Sequence, residues 1–126
     1  LLLLLPQDPD ASAQRLRTEI ARDTGVNIGI LIADSFGRPW RMGTTGVCIG
    51  CAGITPVHDQ RGEFDLFGRE LQVTMPAKGD EIAAAASLIM GESNEGTPLV
   101  LVRGLTLSGE GKTGDLIRPL EEDLFK

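Results

Sequence analysis

Residues 28–41, which read I-G-I-L-I-A-D-S-F-G-R-P-W-R, are the stretch that decides the predicted fold. The first six residues are apolar without alternation, which predicts a strand buried on both faces. We expect this strand to stop at Asp34 and Ser35, where a Gly-Arg-Pro turn with Arg38 and Arg41 follows. In open α/β sheets, ligands bind at the carboxyl ends of the strands. The stretch is therefore a candidate binding edge, and the alternative is that Asp34 caps a turn beside solvated arginines.

The composition indicates one globular domain of ordinary size. The chain has 126 residues, of which 41% are hydrophobic. Its 12 basic and 18 acidic residues give a net charge of -6, and aromatic residues make up only 4%. This balance argues against binding to a nucleic-acid backbone and against stacking on its bases. No apolar run is long enough to span a bilayer, and we expect a cytoplasmic protein with reduced thiols.

The segments before the central stretch predict a strand–helix–strand unit. Leu1–Leu5 is interpreted as a strand. Asp8 is placed to cap a helix from about Pro9 to Thr24, and Gly25 is typical of the residue just beyond a helix. Residues 28–33 would form the second strand of the unit, for which the pattern permits parallel pairing without establishing it.

The segments after the central stretch predict one more helix and further β structure. Residues 43–53 are rich in glycine, so they form either a loop or a strand that another element approaches closely. A hairpin turn is predicted around Gly68. Residues 76–91 predict a helix that is apolar almost all round, and residues 98–103 predict a second strongly apolar strand.

The two cysteines, Cys48 and Cys51, form a C-x-x-C motif. A zinc site needs a second pair of ligands, and the single histidine of the chain is His58. A redox pair of the thioredoxin type belongs at the start of a helix, whereas glycines surround this one. The sequence therefore favours two small, buried, unreactive residues. His58 beside Asp59 is interpreted as a structural hydrogen-bonding pair rather than a general base.

Several segments together resemble the coenzyme F420:L-glutamate ligases, the γ-glutamyl ligase (CofE) family. The matching segments are L-P-Q-D-P-D-A-S-A from Leu5, A-D-S-F-G-R-P-W-R from Ala33, G-V-C-I-G-C-A-G from Gly46, H-D-Q-R-G from His58, G-R-E-L-Q-V-T from Gly68, D-E-I-A-A-A-A from Asp80, L-V-R-G-L from Leu101 and R-P-L-E-E-D-L-F from Arg118. Their order and spacing agree over essentially the whole chain.

The resemblance implies a GTP-dependent amide ligation. The family adds L-glutamate to the carboxylate on the lactyl-phosphate tail of the coenzyme F420 precursor, a deazaflavin, and then adds further glutamates in γ-linkage. Phosphorylation of that carboxylate by GTP gives an acyl phosphate, which the glutamate amine attacks. Two sites for Mg²⁺ or Mn²⁺ are implied, with K⁺ as a further candidate ion.

The resemblance also implies roles for particular residues. Asp34 matches a metal-binding aspartate, Ser35 matches a hydroxyl residue on a second metal, and Glu92 matches another ligand of that second metal. Arg38 and Arg41 are our own candidates for contacts to phosphate or carboxylate, from their charge and position. A loop that contacts the guanine nucleotide is implied at Met90, Gly91, Glu92, Ser93, Asn94, Glu95, Gly96 and Thr97.

The implied fold is mixed α+β, with two main helices, in an intertwined homodimer. Residues 1–126 match the C-terminal portion of the family domain, and the N-terminal half, with a G-I-D-x-S-N-like metal motif, is expected to be absent. An isolated chain is then expected to have an incomplete GTP site and exposed apolar surface. The alternative function is a non-catalytic fragment or binding module that retains the ligase scaffold.

Overall fold

The computed structural model describes residues 4–123, which form a mixed α and β arrangement built on one β-hairpin. The elements are helix α1 (Pro9–Thr24), strands β1 (Ile30–Arg38) and β2 (Arg41–Ala52), helix α2 (Lys78–Met90) and two short 3₁₀ turns at Thr113–Leu116 and Leu120–Glu122. Strands β1 and β2 pair in an antiparallel sheet, and both helices pack against β2. Neither helix among these residues has the length and apolar composition needed to cross a bilayer.

Helix α1 has the bounds that the sequence predicts. The Asp8 carboxylate caps its first turn by accepting a hydrogen bond from the Ala11 amide at 2.9 Å. Gly25 ends the helix in the left-handed region, with φ at 71°, and its amide donates to the Ala21 carbonyl at 2.8 Å. A residue with a Cβ adopts that conformation at a cost, so the glycine fixes where the helix stops.

The prediction that the central strand stops at Asp34 is wrong. Strand β1 continues to Arg38, and Pro39 and Trp40 turn the chain directly into β2. Strands β1 and β2 pair antiparallel, as two strands joined by a two-residue turn do. Residues 30–33 are partly buried and the rest of β1 is exposed, so burial on both faces is also wrong.

The helices sit close to β2 because glycines face them. A Cβ built on Gly46 would lie 2.6 Å from the Ala83 carbonyl oxygen, and one built on Gly50 would lie 2.5 Å from the Pro9 carbonyl carbon. Of the two alternatives that the sequence left open for residues 43–53, the structure shows the strand that other elements approach closely. The buried apolar residues among 4–123 include Ala13, Cys48, Cys51, Ala52, Ile54, Pro56 and Ala83.

Residues 58–76 form an irregular hairpin. The His58 amide donates to the Pro76 carbonyl and the Gln60 amide to the Thr74 carbonyl, each at 3.0 Å. Gly68, with φ at 77°, lies in the turn between the two arms, which confirms the predicted turn.

Two segments predicted as strands have no strand structure among residues 4–123. Residues 98–103 have no regular structure and are largely exposed. Leu4 and Leu5 are exposed and lie outside any strand, and residues 1–3 lie outside the described part of the chain. Both segments have the apolar composition of a strand but pair with no edge among residues 4–123, and a strand is stable only as part of a ladder.

Candidate functional site

Asp34 lies on the open face of the hairpin. It is directly opposite Val47 in the register, and residues opposite each other share a face of the sheet. The neighbours of Val47 on β2 point towards α2: Cys48 approaches Gly79, and Gly46 approaches Ala83. Because side chains alternate along a strand, Val47 and Asp34 point away from the helix. Asp34 is an exposed carboxylate, available to a ligand on that side.

Ser35 lies on the other face of the same strand. It is opposite Gly46, whose missing side chain makes room for Ala83 and Ser87 of α2. Helix α2 runs along β2 from Cys48 towards Gly46, which is the direction of the hairpin turn. Adjacent carboxylate and hydroxyl groups in the sequence are therefore separated by the thickness of the sheet, and their side chains cannot reach one shared ion.

The turn of the hairpin carries the two predicted arginines. Arg38 and Arg41 are opposite each other at the last pair of the ladder, and Pro39 and Trp40 form the turn between them. The Arg38 guanidinium donates to the Met42 carbonyl at 3.2 Å. The structure therefore places two exposed arginine residues opposite each other at one end of the hairpin.

The predicted nucleotide loop begins where α2 ends. Gly91 closes the helix with φ at 71°, and its amide donates to the Ser87 carbonyl at 3.0 Å. Within the loop, the Glu95 carboxylate accepts a hydrogen bond from the Ser93 amide at 2.9 Å. This bond, followed by one from its own backbone, lowers the pKa of Glu95. Glu92 is exposed at the start of the loop.

The carboxylates of Asp34 and Glu92 are oxygen ligands of the kind that a hard divalent cation prefers, but they supply only part of a coordination shell. No group of three or more His, Cys, Asp or Glu side chains comes together among residues 4–123. Mg²⁺ is commonly held by one or two carboxylates, with water and substrate phosphate oxygens completing its shell. Exposed carboxylates at Asp34 and Glu92 can each supply one such ligand, so most of each coordination shell would come from outside these side chains.

Comparison with known proteins decides the family. The family model described as F420-0:Gamma-glutamyl ligase matches residues 1–104. The chain belongs to the F420-0:gamma-glutamyl ligase family. This confirms the resemblance on which the site residues were predicted, and it leaves the role of each of those residues a prediction.

The curated relatives are about twice as long as this family member. A coenzyme F420:L-glutamate ligase of Methanocaldococcus jannaschii is 50% identical over 124 residues, which cover 98% of this chain and 50% of the relative. The enzyme of the same name from Archaeoglobus fulgidus is 47% identical over 125 residues, covering 99% and 50%. The coenzyme F420:L-glutamate ligase of Haloarcula marismortui is 42% identical over 125 residues, which cover 99% of this chain and 49% of the relative. The chain thus spans about half the length of the curated relatives it matches.

Two carboxylates that sequence analysis missed hold the ligase-family scaffold together. Asp10, in the first turn of α1, accepts a hydrogen bond from the Cys51 amide at 2.8 Å. Asp80, in the first turn of α2, accepts one from the Cys48 amide at 2.9 Å. Each helix therefore docks on β2 through an aspartate near its N-terminus, where a negative charge also complements the helix dipole. The sequence signal that could have identified these aspartates is the presence of acidic residues in the first turn of both helices.

Asp10 makes the larger set of contacts. Its carboxylate also accepts hydrogen bonds from the Thr113 hydroxyl at 2.7 Å and the Thr113 amide at 3.3 Å. Desolvation on burial opposes ionisation, but the hydrogen bonds from Cys51 and Thr113 outweigh it and lower the pKa of Asp10. The carboxylate thus joins three segments that are far apart in the chain.

The structure confirms the prediction that the two cysteines are buried. Cys48 and Cys51 are free thiols and both are buried. Burial raises the pKa of Cys48 to about 12, with the nearby Cys51 adding to the effect, and burial also raises the pKa of Cys51. Since the thiolate is the nucleophile and the metal ligand, burial disfavours the reactive form of both side chains.

The predicted His58–Asp59 pair does not form. Asp59 instead forms an ion pair with Arg61, whose hydrogen bonds lower the pKa of Asp59 to about 2. The His58 ring faces Glu63, at 3.7 Å. The Asp59 carboxylate also accepts a hydrogen bond from the Arg61 amide at 3.1 Å. This is a local turn contact of the kind that aspartate makes with the residue two positions on, and it brings the two side chains together.

Proposed function

We propose that this chain is part of a GTP-dependent ligase that adds L-glutamate to the coenzyme F420 precursor and extends a γ-linked glutamate tail. The observation that carries the proposal is Asp34, an exposed carboxylate within the D-S-F-G-R-P-W-R motif of a chain that is 50% identical to a named coenzyme F420:L-glutamate ligase. The family supports the reaction class, and the exposed position of Asp34 supports its availability to substrate.

The reaction that we propose has two steps. A carboxylate oxygen of the precursor attacks the γ-phosphorus of GTP, the bond to the β–γ bridging oxygen breaks, and GDP leaves. The glutamate amine then attacks the acyl carbon, inorganic phosphate leaves with the C–O bond electrons, and the amine loses a proton. Both steps are limited by positioning and by the charge on the phosphate oxygens.

The residues of this chain have separate roles in the proposal. Arg38 and Arg41 bind phosphate or carboxylate oxygens, since the planar guanidinium forms paired hydrogen bonds with such groups. Residues 90–97 contact the guanine nucleotide. Asp34 would hold one Mg²⁺ or Mn²⁺ ion, and Ser35 with Glu92 would contribute to another site, with K⁺ as a further ion. A bound divalent cation would offset the negative charge of the phosphates.

The proposal includes a cytoplasmic homodimer. Leu88 and Ile89 are exposed on α2, at 87% and 62% of their surface, which supports a second copy covering this helix. Sedimentation velocity on the chain at several concentrations tests this part of the proposal, and a monomer throughout would refute it.

The test of the function is the Asp34→Asn variant, made in the natural full-length protein that contains this chain. Glutamylated product is measured by mass spectrometry with GTP, L-glutamate, the deazaflavin precursor, and Mg²⁺ or Mn²⁺. We expect product formation to fall on the order of 100-fold, the scale found when one transition-state charge stabiliser is removed. Asp23→Asn is the matched control, because Asp23 is an exposed carboxylate on α1.

Two results would contradict the proposal. Turnover of Asp34→Asn within twofold of the wild type would remove Asp34 from the site. Nucleotide binding by the wild type without any product under these conditions would favour the non-catalytic binding module instead.

A further inference from the structure

The turn of the β1–β2 hairpin contains an unfavourable charge arrangement. Arg38 and Arg41 are directly opposite each other, and like charges at such positions destabilise a strand pair. Neither guanidinium forms an ion pair with a carboxylate among residues 4–123. The chain as a whole has a net charge of -6, so this end of the hairpin is a local exception that an anion would stabilise.

The same turn contains an unfavourable backbone conformation. Trp40 has φ at 56°, and it is the one non-glycine residue with positive φ among those described. With Pro39 before it, the turn has the φ signs of a type II turn, in which glycine or asparagine normally takes this place. The side chain is 86% exposed, so much of the indole surface is accessible to solvent. Backbone strain of this kind clusters at active sites and ligand-binding sites.

We propose that the hairpin turn binds a single ligand in which a planar heteroaromatic ring carries a phosphate group. Trp40 stacks on the ring, while Arg38 and Arg41 bind the phosphate from either side of the turn. Stacking needs an exposed aromatic face, and a guanidinium group forms paired hydrogen bonds with phosphate oxygens. The inference rests on the proposed function for its ligands, because the deazaflavin precursor with its lactyl-phosphate tail and GTP both have this chemistry.

The single tryptophan makes the turn directly observable. Trp40 is the only tryptophan and the chain has no tyrosine, so intrinsic fluorescence reports this turn. The 126-residue chain is titrated separately with the deazaflavin precursor, with GTP and with inorganic phosphate, each up to about 1 mM, the weak end of specific binding. We expect saturable quenching by a ring-bearing phosphate and none by inorganic phosphate. Whichever of the deazaflavin precursor and GTP quenches at the lower concentration is identified as the ligand of the turn.

Substitutions at the turn distinguish binding from a structural role. Trp40→Gly removes the ring but suits positive φ, so the variant is expected to fold at least as well as the wild type. Its affinity, measured by calorimetry, is expected to fall about tenfold, as for other losses of aromatic stacking. Trp40→Phe keeps a ring and should retain most of the affinity. Arg41→Gln should also weaken binding, whereas Arg15→Gln on α1 should not.

Two results would overturn the inference. One is the absence of quenching by both ring-bearing phosphates, and the other is an affinity of Trp40→Gly within twofold of the wild type. Ligation by the full-length protein is measured independently of Trp40 fluorescence. A failure of the inference with normal Asp34-dependent turnover would therefore leave the proposed function intact, and binding at the turn without turnover would contradict the function alone.

Discussion

Replacing Asp10 with asparagine tests how helix α1 is held on the hairpin. The Asp10 carboxylate accepts hydrogen bonds from the Cys51 amide at 2.8 Å and the Thr113 hydroxyl at 2.7 Å. Asparagine has nearly the same shape and keeps one acceptor oxygen, so the change removes the charge and little else. The free energy of unfolding then reports what the ionised group contributes to joining α1, β2 and the turn at Thr113–Leu116.

The magnitude follows from the kind of hydrogen bond that is lost. Bonds to a charged group contribute about 1.5–3 kcal/mol and neutral ones about 0.5–1.5 kcal/mol. Since the asparagine amide still accepts one or both of the short bonds, we expect Asp10→Asn to lower the free energy of unfolding by about 1–2 kcal/mol. For a chain of this size such a change lowers Tm by several degrees.

The pH dependence has a defined sign. The pKa of Asp10 is lowered in the folded state, so its ionised form stabilises the fold above the unfolded-state pKa. That stabilisation is lost as pH falls from the unfolded-state value towards the lower folded-state value. The wild type should therefore lose more stability than Asp10→Asn when the pH is lowered from about 5 towards 3.

The assay is urea denaturation followed by far-ultraviolet circular dichroism, with Asp8→Asn as the matched control. Asp8 caps the same helix, and asparagine caps helices as well as aspartate does. The control should therefore change the free energy of unfolding by less than about 0.5 kcal/mol. Equal effects of the two substitutions, or the same acid dependence in Asp10→Asn and the wild type, would refute the reasoning.

Two further predictions concern the packing and the chemistry of β2. Gly46→Ala should destabilise the fold by about 1–3 kcal/mol in urea titrations, because its Cβ would lie 2.6 Å from the Ala83 carbonyl oxygen. Gly37→Ala, at a strand glycine with open space around its Cβ position, should be near neutral, and an equal loss would contradict the close approach. Cys48 and Cys51 should resist a thiol reagent at pH 8 in the native protein and react in denaturant, since burial raises both pKa values. Rapid native labelling would show that the thiols are accessible.

Local signals in the sequence predicted the helices well. The bounds of α1 follow from Asp8 as a cap and Gly25 as a stop, both of which act within one turn of the residues they affect. Helix α2 agrees to within two residues of its predicted range at the start and one at the end. The carboxylates of Asp10 and Asp80 were missed because their partners on β2 are distant in the sequence, and no local pattern identifies a docking contact.

The hairpin was only partly predictable for a related reason. Residues 28–33 carry the composition of a strand, but composition does not name the partner strand. The continuation to Arg38 depends on pairing with β2, whose glycines suggested a loop. Residues 98–103 show the converse, since an apolar run without a paired edge remains irregular and exposed. The metal roles of Asp34, Ser35 and Glu92 came from the family resemblance, whereas Arg38 and Arg41 came from their charge and position. Strand geometry then assigned Asp34 and Ser35 to opposite faces.

That assignment constrains how the proposed metal ligands can act together. Asp34 points from the open face of β1, and Ser35 points towards α2. Metal ions that clamp one phosphoryl transfer lie about 4 Å apart, which is less than the distance between side chains on opposite faces of a strand. Ligation by both side chains would therefore place two ions on opposite sides of the hairpin. A closely spaced pair requires Ser35 to bind through its backbone carbonyl, or requires Asp34 to pair with a ligand from outside residues 4–123.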